Sequence, residues 1–252
     1  MDILKRLGST VLSELCFLNG IFARMDLRYA LVGATALLLH GVDLPRITQD
    51  LDVVVAMEGD FADLLTKLTT FGFQRTRIPH RLLSPQDIQL DVLPVTEKSA
   101  RTGVIEWPDG NKMSAVGLNE ALAHAEDIQL STCTVCVAPL PILAGLKLIA
   151  SASDQRRGKG DVNDFLECLA QFELQGERRF SVCDLTDTEL IFDQAGAFLL
   201  GYELKKAAQP PTLQAINDVL QNMDNESGLN RHWRSEEEAE DLLRIFRVGF
   251  GS

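Results

Sequence analysis

Asp50 and Asp52 stand one residue apart and lead directly into the apolar run Val53-Val54-Val55. In a strand, residues i and i+2 share a face, about 6.6–7 Å apart along the backbone. Two carboxylates on one face of an otherwise buried strand are costly. If their heads converge to about 4 Å, they repel by roughly 4 kcal/mol at an effective dielectric near 20. A divalent cation removes that penalty, and carboxylates with room for water suit Mg²⁺. The competing reading has Asp50 capping a turn and Asp52 on a solvated strand edge, and Asp-x-Asp alone does not exclude it.

The residues upstream favour the cation. Tyr29 to Val32 is a short apolar, strand-like stretch, and Gly33 closes it and opens a helix. A strand–Gly–helix junction leaves first-turn N–H groups unpaired, and both they and the helix dipole favour phosphate. Gly33 lets backbone approach closely, Ala34 follows, and Thr35 adds a hydroxyl donor. A phosphate cradle beside a metal-binding acidic pair is what nucleoside triphosphate chemistry requires. Asp91, in Ile88-Gln-Leu-Asp-Val-Leu-Pro94, is the expected third acid. With apolar neighbours on both sides, an unpaired carboxylate there is hard to explain; an edge-strand aspartate facing water is the bland alternative.

These elements resemble a family. Gly33-Ala-Thr-Ala, then Arg46-Ile-Thr-Gln-Asp-Leu-Asp52, then Asp91 is similar to the DNA polymerase β-type nucleotidyltransferases, in particular the AbiEii/AbiGii toxin-like branch. Leu143-Ala-Gly-Leu-Lys147, followed by Arg156-Arg-Gly-Lys-Gly-Asp161-Val-Asn-Asp164, resembles that branch's helix lysine, basic loop and Asp-x-x-Asp. The likeness spans roughly residues 29–169. It departs from the family where Ala34 replaces a second glycine and where residues 41–45 make a bulkier turn.

The resemblance implies that Asp50, Asp52 and Asp91 ligate two Mg²⁺ ions, with Mn²⁺ as an alternative, and that Asp91 helps deprotonate the attacking hydroxyl. It places Gly33, Ala34 and Thr35 on phosphate oxygens and Lys147 on the triphosphate. Arg46 and Thr48 orient the acidic pair or the base, and Asp161 joins the nucleotide site. The implied activity moves an NMP from an NTP to an acceptor hydroxyl: a tRNA 3′ end, or a protein as the toxin of a toxin–antitoxin pair with a cognate antitoxin. Two other readings stand beside it, an inactive fold that only binds nucleotide or a partner, and antibiotic modification.

The supporting residues also have plainer readings. Lys147, between Leu146 and Leu148, has the plainer reading of a snorkelling helix residue, and Asp161 that of an ordinary N-cap. Arg156, Arg157 and Lys159 complement a helix C-terminus. His40, His80, His124 and His232 have no metal-like spacing.

Periodicity supplies the elements that must position the site. Residues 3–25 read as an amphipathic helix, 34–40 as a short helix, 51–56 as a buried strand, 61–71 as a helix stopped by Gly72, and 89–95 as a strand. Pro108-Asp109-Gly110-Asn111 is a hairpin turn. Helices are expected over 142–151, 162–171, 186–206, 213–222 and 235–247, the last opened by a capping box at Ser235, with a linker over 207–211. The fold class is α+β: a nucleotidyltransferase-like mixed twisted sheet flanked by helices (residues 1–140), followed by a mostly helical C-terminal region (141–252).

Composition narrows the partners. The 252 residues carry 24 Lys+Arg against 36 Asp+Glu, a net charge of −12, which argues against a broad phosphate-tracking surface. The longest apolar run falls short of the roughly 20 residues of a membrane span, and no signal peptide opens the chain, so no membrane partner and a cytoplasmic location are expected. The five cysteines read as thiols in a reducing compartment, with Cys133 and Cys136 a core pair on a strand.

Overall fold

A computed structural model describes residues 4–46, 48, 50–152, 158–225 and 233–252. The described chain divides into two compact units, one holding the residues up to Gly41 together with Pro45–Pro139, the other Val42–Leu44 together with Leu140–Ser252. The α+β expectation is met.

In chain order the first unit contains α1 (Leu4–Arg24), β1 (Tyr29–Val32), α2 (Gly33–Leu39), β2 (Leu51–Ala56), α3 (Phe61–Thr69), β3 (Gln74–Arg75), β4 (Arg81–Leu83) and β5 (Gln89–Val95). It continues with α4 (Glu97–Thr102), β6 (Val104–Glu106), β7 (Lys112–Ser114), α5 (Leu118–Ala123), β8 (Glu126–Gln129) and β9 (Thr134–Val137). Seven strands form one mixed sheet in the order β3-β4-β5-β2-β1-β9-β8, with β6 and β7 a separate hairpin around the Pro108–Asn111 turn. β2 runs parallel to β5 and antiparallel to β1, and β4 antiparallel to β5.

β2 is the sheet's centre, and its composition explains why. Val53, Val54 and Val55 are all fully buried, so both faces of the strand are covered and the run reads as continuous rather than alternating. Each such side chain contributes about 1.5–3 kcal/mol of transfer free energy. α2 and α5 pack on β1 and β2, and α1 on β9. Phe73 is core, stacked on Phe17.

The cysteine reading is corrected. Cys16 on α1 and Cys133, just before β9, form a disulfide across 117 residues. Cys136, three positions on, is a half-buried thiol whose Sγ donates to Asp127. Cys133 lies just outside β9 with its sulfur bonded to Cys16, so it is not a thiol paired with Cys136.

The second unit is helical: α6 (Leu140–Ser151), α7 (Gly158–Gln171), a 3₁₀ segment (Glu177–Asp184), α8 (Phe192–Ala207), α9 (Pro210–Asn225) and α10 (Glu236–Gly251). α8 and α10 touch through glycine: a Cβ on Gly249 would meet the Phe198 carbonyl oxygen at 2.0 Å, and one on Gly201 that of Phe246 at 2.4 Å. Ser235 caps α10, its hydroxyl accepting from the Glu238 N–H. The helix expected from Thr186 begins only at Phe192. There the Gln194 side chain accepts the Ile191 N–H and sets the start.

Two further expectations change. Residues 207–211 shrink to a joint at Ala208 and Gln209, because Pro210 opens α9 directly. The turn at residues 41–45 is not loose bulk: Val42 and Leu44 are buried, and the Gln171 side chain accepts the Asp43 N–H and donates to its carbonyl. Arg156, Arg157 and His232 lie outside the described residues.

Candidate active site

Two of the acids and an arginine fall level on three neighbouring strands. Asp52 on β2 pairs in register with Asp91 on β5, and Asp91 pairs with Arg81 on β4. Partners directly opposite in a sheet share a face, so Asp52, Asp91 and Arg81 project to one side. Val32, the residue before Gly33, pairs with Asp52 from the other flank.

Gly33 is placed as its sequence context requires. Its φ of +72° lies in the left-handed region that favours glycine. A Cβ there would sit 2.0 Å from Asp52 Oδ2 and 2.9 Å from its Cγ. The turn between β1 and α2 therefore lies flush against the Asp52 carboxylate, which no side chain at position 33 would allow. Val32 gives α2 no side-chain cap.

Asp50, just outside β2, is fixed by two threonines. Thr48 Oγ1 donates to Asp50 Oδ1 at 2.5 Å, and Thr35 Oγ1 donates to the Asp50 carbonyl at 2.8 Å. Both threonines are buried. Thr48 thus lies on the Asp50 carboxylate. The Thr35 hydroxyl, expected on phosphate, is instead committed to Asp50's backbone, which makes it a positioning group. Ala34 is buried and Arg46 exposed.

Arg81 is the residue the sequence reading missed. Its Nε donates to Asp91 Oδ1 and its second guanidinium nitrogen to Asp91 Oδ2, both at 2.7 Å. This fork-on-carboxylate geometry is the strongest arrangement open to the pair. The hydrogen bonds to Asp91 raise the Arg81 pKa above its usual value; burial opposes this, and the charges of Asp91, Asp52 and Asp50 add to it. All three acids therefore act on one guanidinium. Its one sequence signal was position, an arginine in a short strand ten residues before Asp91.

Among the described residues, no group of three or more His, Cys, Asp or Glu side chains is arranged to hold a metal ion. Asp91, 8% exposed, has both oxygens on Arg81, each with a second lone pair not used by that pair. Asp50 and Asp52, half-buried hard oxygen donors beside the glycine turn, fit a divalent cation by donor type.

Lys147 and Asp161 meet each other in the helical unit. Lys147 Nζ lies 2.7 Å from Asp161 Oδ1 and 2.9 Å from Asp164 Oδ2, with the Lys147 side chain 12% and that of Asp164 1% exposed. Burial pulls the Lys147 pKa down, but Asp164 and Asp161 outweigh it and the net shift is upward. The ammonium does not snorkel. Nor is Asp161 an N-cap, since α7 starts three residues earlier.

No protein-family profile matches the chain, and no curated protein matches it. Solved structures do. An antigenic nucleotidyltransferase-like protein from Paracoccidioides brasiliensis is 16% identical with a TM-score of 0.49, over 92% of this chain and 91% of that one. The lincosamide antibiotic adenylyltransferase LnuA, lincomycin-bound, is 16% identical with a TM-score of 0.41, over 61% of this chain and 94% of its own. The CD-NTase CdnG of Bradyrhizobium diazoefficiens, in complex with GTP, is 13% identical with a TM-score of 0.32, over all of this chain and 87% of its own. No helix among the described residues is long and apolar enough to cross a membrane.

Proposed function

We propose that this chain is a nucleotidyltransferase that moves a nucleoside monophosphate from an NTP to an acceptor hydroxyl. The observation that carries the reading is the in-register placement of Asp52 and Asp91 beside the Gly33 turn, with Asp50 held by Thr48. In the reaction the acceptor oxygen bonds to the α-phosphorus, the bond to the bridging oxygen breaks, and pyrophosphate leaves. Asp50 and Asp52 would hold a divalent cation, Mg²⁺ with Mn²⁺ as an alternative, which would supply charge neutralisation at the triphosphate. The turn at Gly33 and Ala34 offers backbone N–H groups to phosphate oxygens. Thr48 and Thr35 hold Asp50 still. Removal of the hydroxyl proton falls to Asp91, whose oxygens each accept one hydrogen bond from Arg81 and keep a second lone pair for the proton.

The acceptor we favour is a tRNA 3′ end or a protein hydroxyl, with the chain as the toxin of a toxin–antitoxin pair, on the strength of the AbiEii/AbiGii resemblance. Lys147 is read as a structural cation of the helical unit. A second reading, nucleotide binding without turnover, is favoured by the hold of Arg81 on both Asp91 oxygens.

The test is incubation of the protein with Mg²⁺ and each α-labelled NTP, with and without total tRNA, beside Asp50→Asn/Asp52→Asn. Label transferred by wild type and not by the variant supports the enzyme. Equal, background-level transfer with retained nucleotide binding supports the second reading.

A further inference from the structure

Five of the six large apolar side chains exposed among the described residues fall within one stretch of nineteen: Leu174, Phe180, Leu185, Ile191 and Phe192. Phe180 is 74% and Ile191 64% exposed, and the Phe180 and Phe192 rings lie 5.0 Å apart. The Phe180 and Phe192 rings, with Ile191 next to the latter in the chain, form the apolar centre of the stretch, and adjacent exposed apolar side chains mark an interaction surface more often than scattered ones do.

The stretch is held rigidly from beneath. Arg179, buried, donates to the carbonyls of Ala170 and Phe172 at the end of α7 and of Phe192 at the start of α8. Its guanidinium carbon sits 5.2 Å from the Phe192 ring centroid. A Cβ on Gly196 would lie 2.3 Å from an Arg179 nitrogen, so α8 is cut away to admit it. This arginine fixes both ends of the apolar segment and contributes no charge to its surface.

Along the chain the apolar residues alternate with acidic ones. Glu177, Asp184, Asp187, Glu189 and Asp193 are exposed between them. The exposed cation of the stretch, Arg178, is paired with Glu173 and Glu203. The second unit's described residues hold no strand, so the face offers side chains and not a sheet edge. The complementary shape is a helix with an apolar stripe flanked by Lys or Arg.

We infer that the face from Leu174 to Asp193 docks a basic amphipathic helix of a partner protein. This inference does not depend on the proposed chemistry. The probes are two labelled helical peptides, one of Leu and Lys at helical spacing and one with Glu replacing Lys, read by fluorescence anisotropy. Wild type is expected to bind the Lys peptide, more weakly as salt rises, and not the Glu peptide. Phe180→Ser/Ile191→Ser is expected to weaken binding on the order of tenfold, and Asp184→Asn/Asp187→Asn/Glu189→Gln to remove most of the salt dependence. Unchanged circular dichroism and melting temperature establish that these surface variants fold.

The proposal is overturned if the Lys peptide does not bind or binds Phe180→Ser/Ile191→Ser as tightly as wild type. It is overturned equally if that variant abolishes a concentration-dependent dimer, which gives the face to a second copy, or abolishes binding to anionic vesicles, which gives it to a membrane.

Discussion

Arg81 and Asp91 face each other across β4 and β5, joined by two hydrogen bonds of 2.7 Å. This pair answers how a sheet tolerates three aspartates close together: a guanidinium neutralises the one most deeply placed. Arg81→Gln leaves Asp91 buried beside Asp52 without its cation, and is expected to lower stability by about 1–3 kcal/mol. Added Mn²⁺ should then raise the melting temperature of Arg81→Gln by more than that of wild type, because a cation replaces the lost charge. Calorimetry with and without Mn²⁺ checks both. An equal Mn²⁺ shift in the two proteins would show that Arg81 and the cation do not compete for one electrostatic role.

Gly33→Ala probes the turn. The left-handed backbone at position 33 costs an L-residue about 1–2 kcal/mol, and the added methyl would overlap Asp52 Oδ2. The variant should melt lower and lose nucleotide binding, measured by a dye-based melt with and without NTP. A Gly33→Ala protein with wild-type nucleotide affinity would separate the turn from the site.

Lys147→Met probes the helical unit. Removing the cation takes from Asp164, almost fully buried, the ammonium 2.9 Å away, at a cost of about 1–3 kcal/mol. Folding raises the Lys147 pKa, so its stabilisation is whole below the ordinary lysine value near 10.4 and fades as pH climbs through the raised value. The difference between wild type and Lys147→Met should therefore stay constant through neutral pH and narrow only in strong alkali, as urea melts at several pH values will show.

The Cys16–Cys133 disulfide closes a loop of 117 residues, a cross-link worth about 2–4 kcal/mol. Alkylation in denaturant without reductant should label Cys136, Cys168 and Cys183 only. Reduction should expose all five and lower the melting temperature by roughly 5–15 °C. Five labelled cysteines before reduction would refute the pairing.

The legible parts of this fold were those whose physics is local. β2 and β5 lie at the residues their apolar runs indicated, and the Gly33 junction follows from the permissiveness of one residue type. What escaped depends on long-range pairing. Arg81 gains its meaning only when β4 pairs with β5, and Cys16 meets Cys133 only through the packing of α1 on β9. Thr35 reads as a phosphate donor beside a glycine, yet its hydroxyl turns to Asp50, fifteen residues away. Lys147 reads as a triphosphate ligand or a snorkelling lysine, and its ion pairs show only when α7 brings Asp161 and Asp164 against it.

The central claim is that Asp50 and Asp52, seated against the Gly33 turn, form a divalent-cation and nucleotide site. Titrating Mn²⁺ into the protein with a non-hydrolysable NTP, and following free Mn²⁺ by electron paramagnetic resonance, tests it directly. The account predicts nucleotide-dependent Mn²⁺ binding by wild type that Asp50→Asn/Asp52→Asn loses, at least tenfold in affinity. Identical titration curves for the two proteins would contradict it.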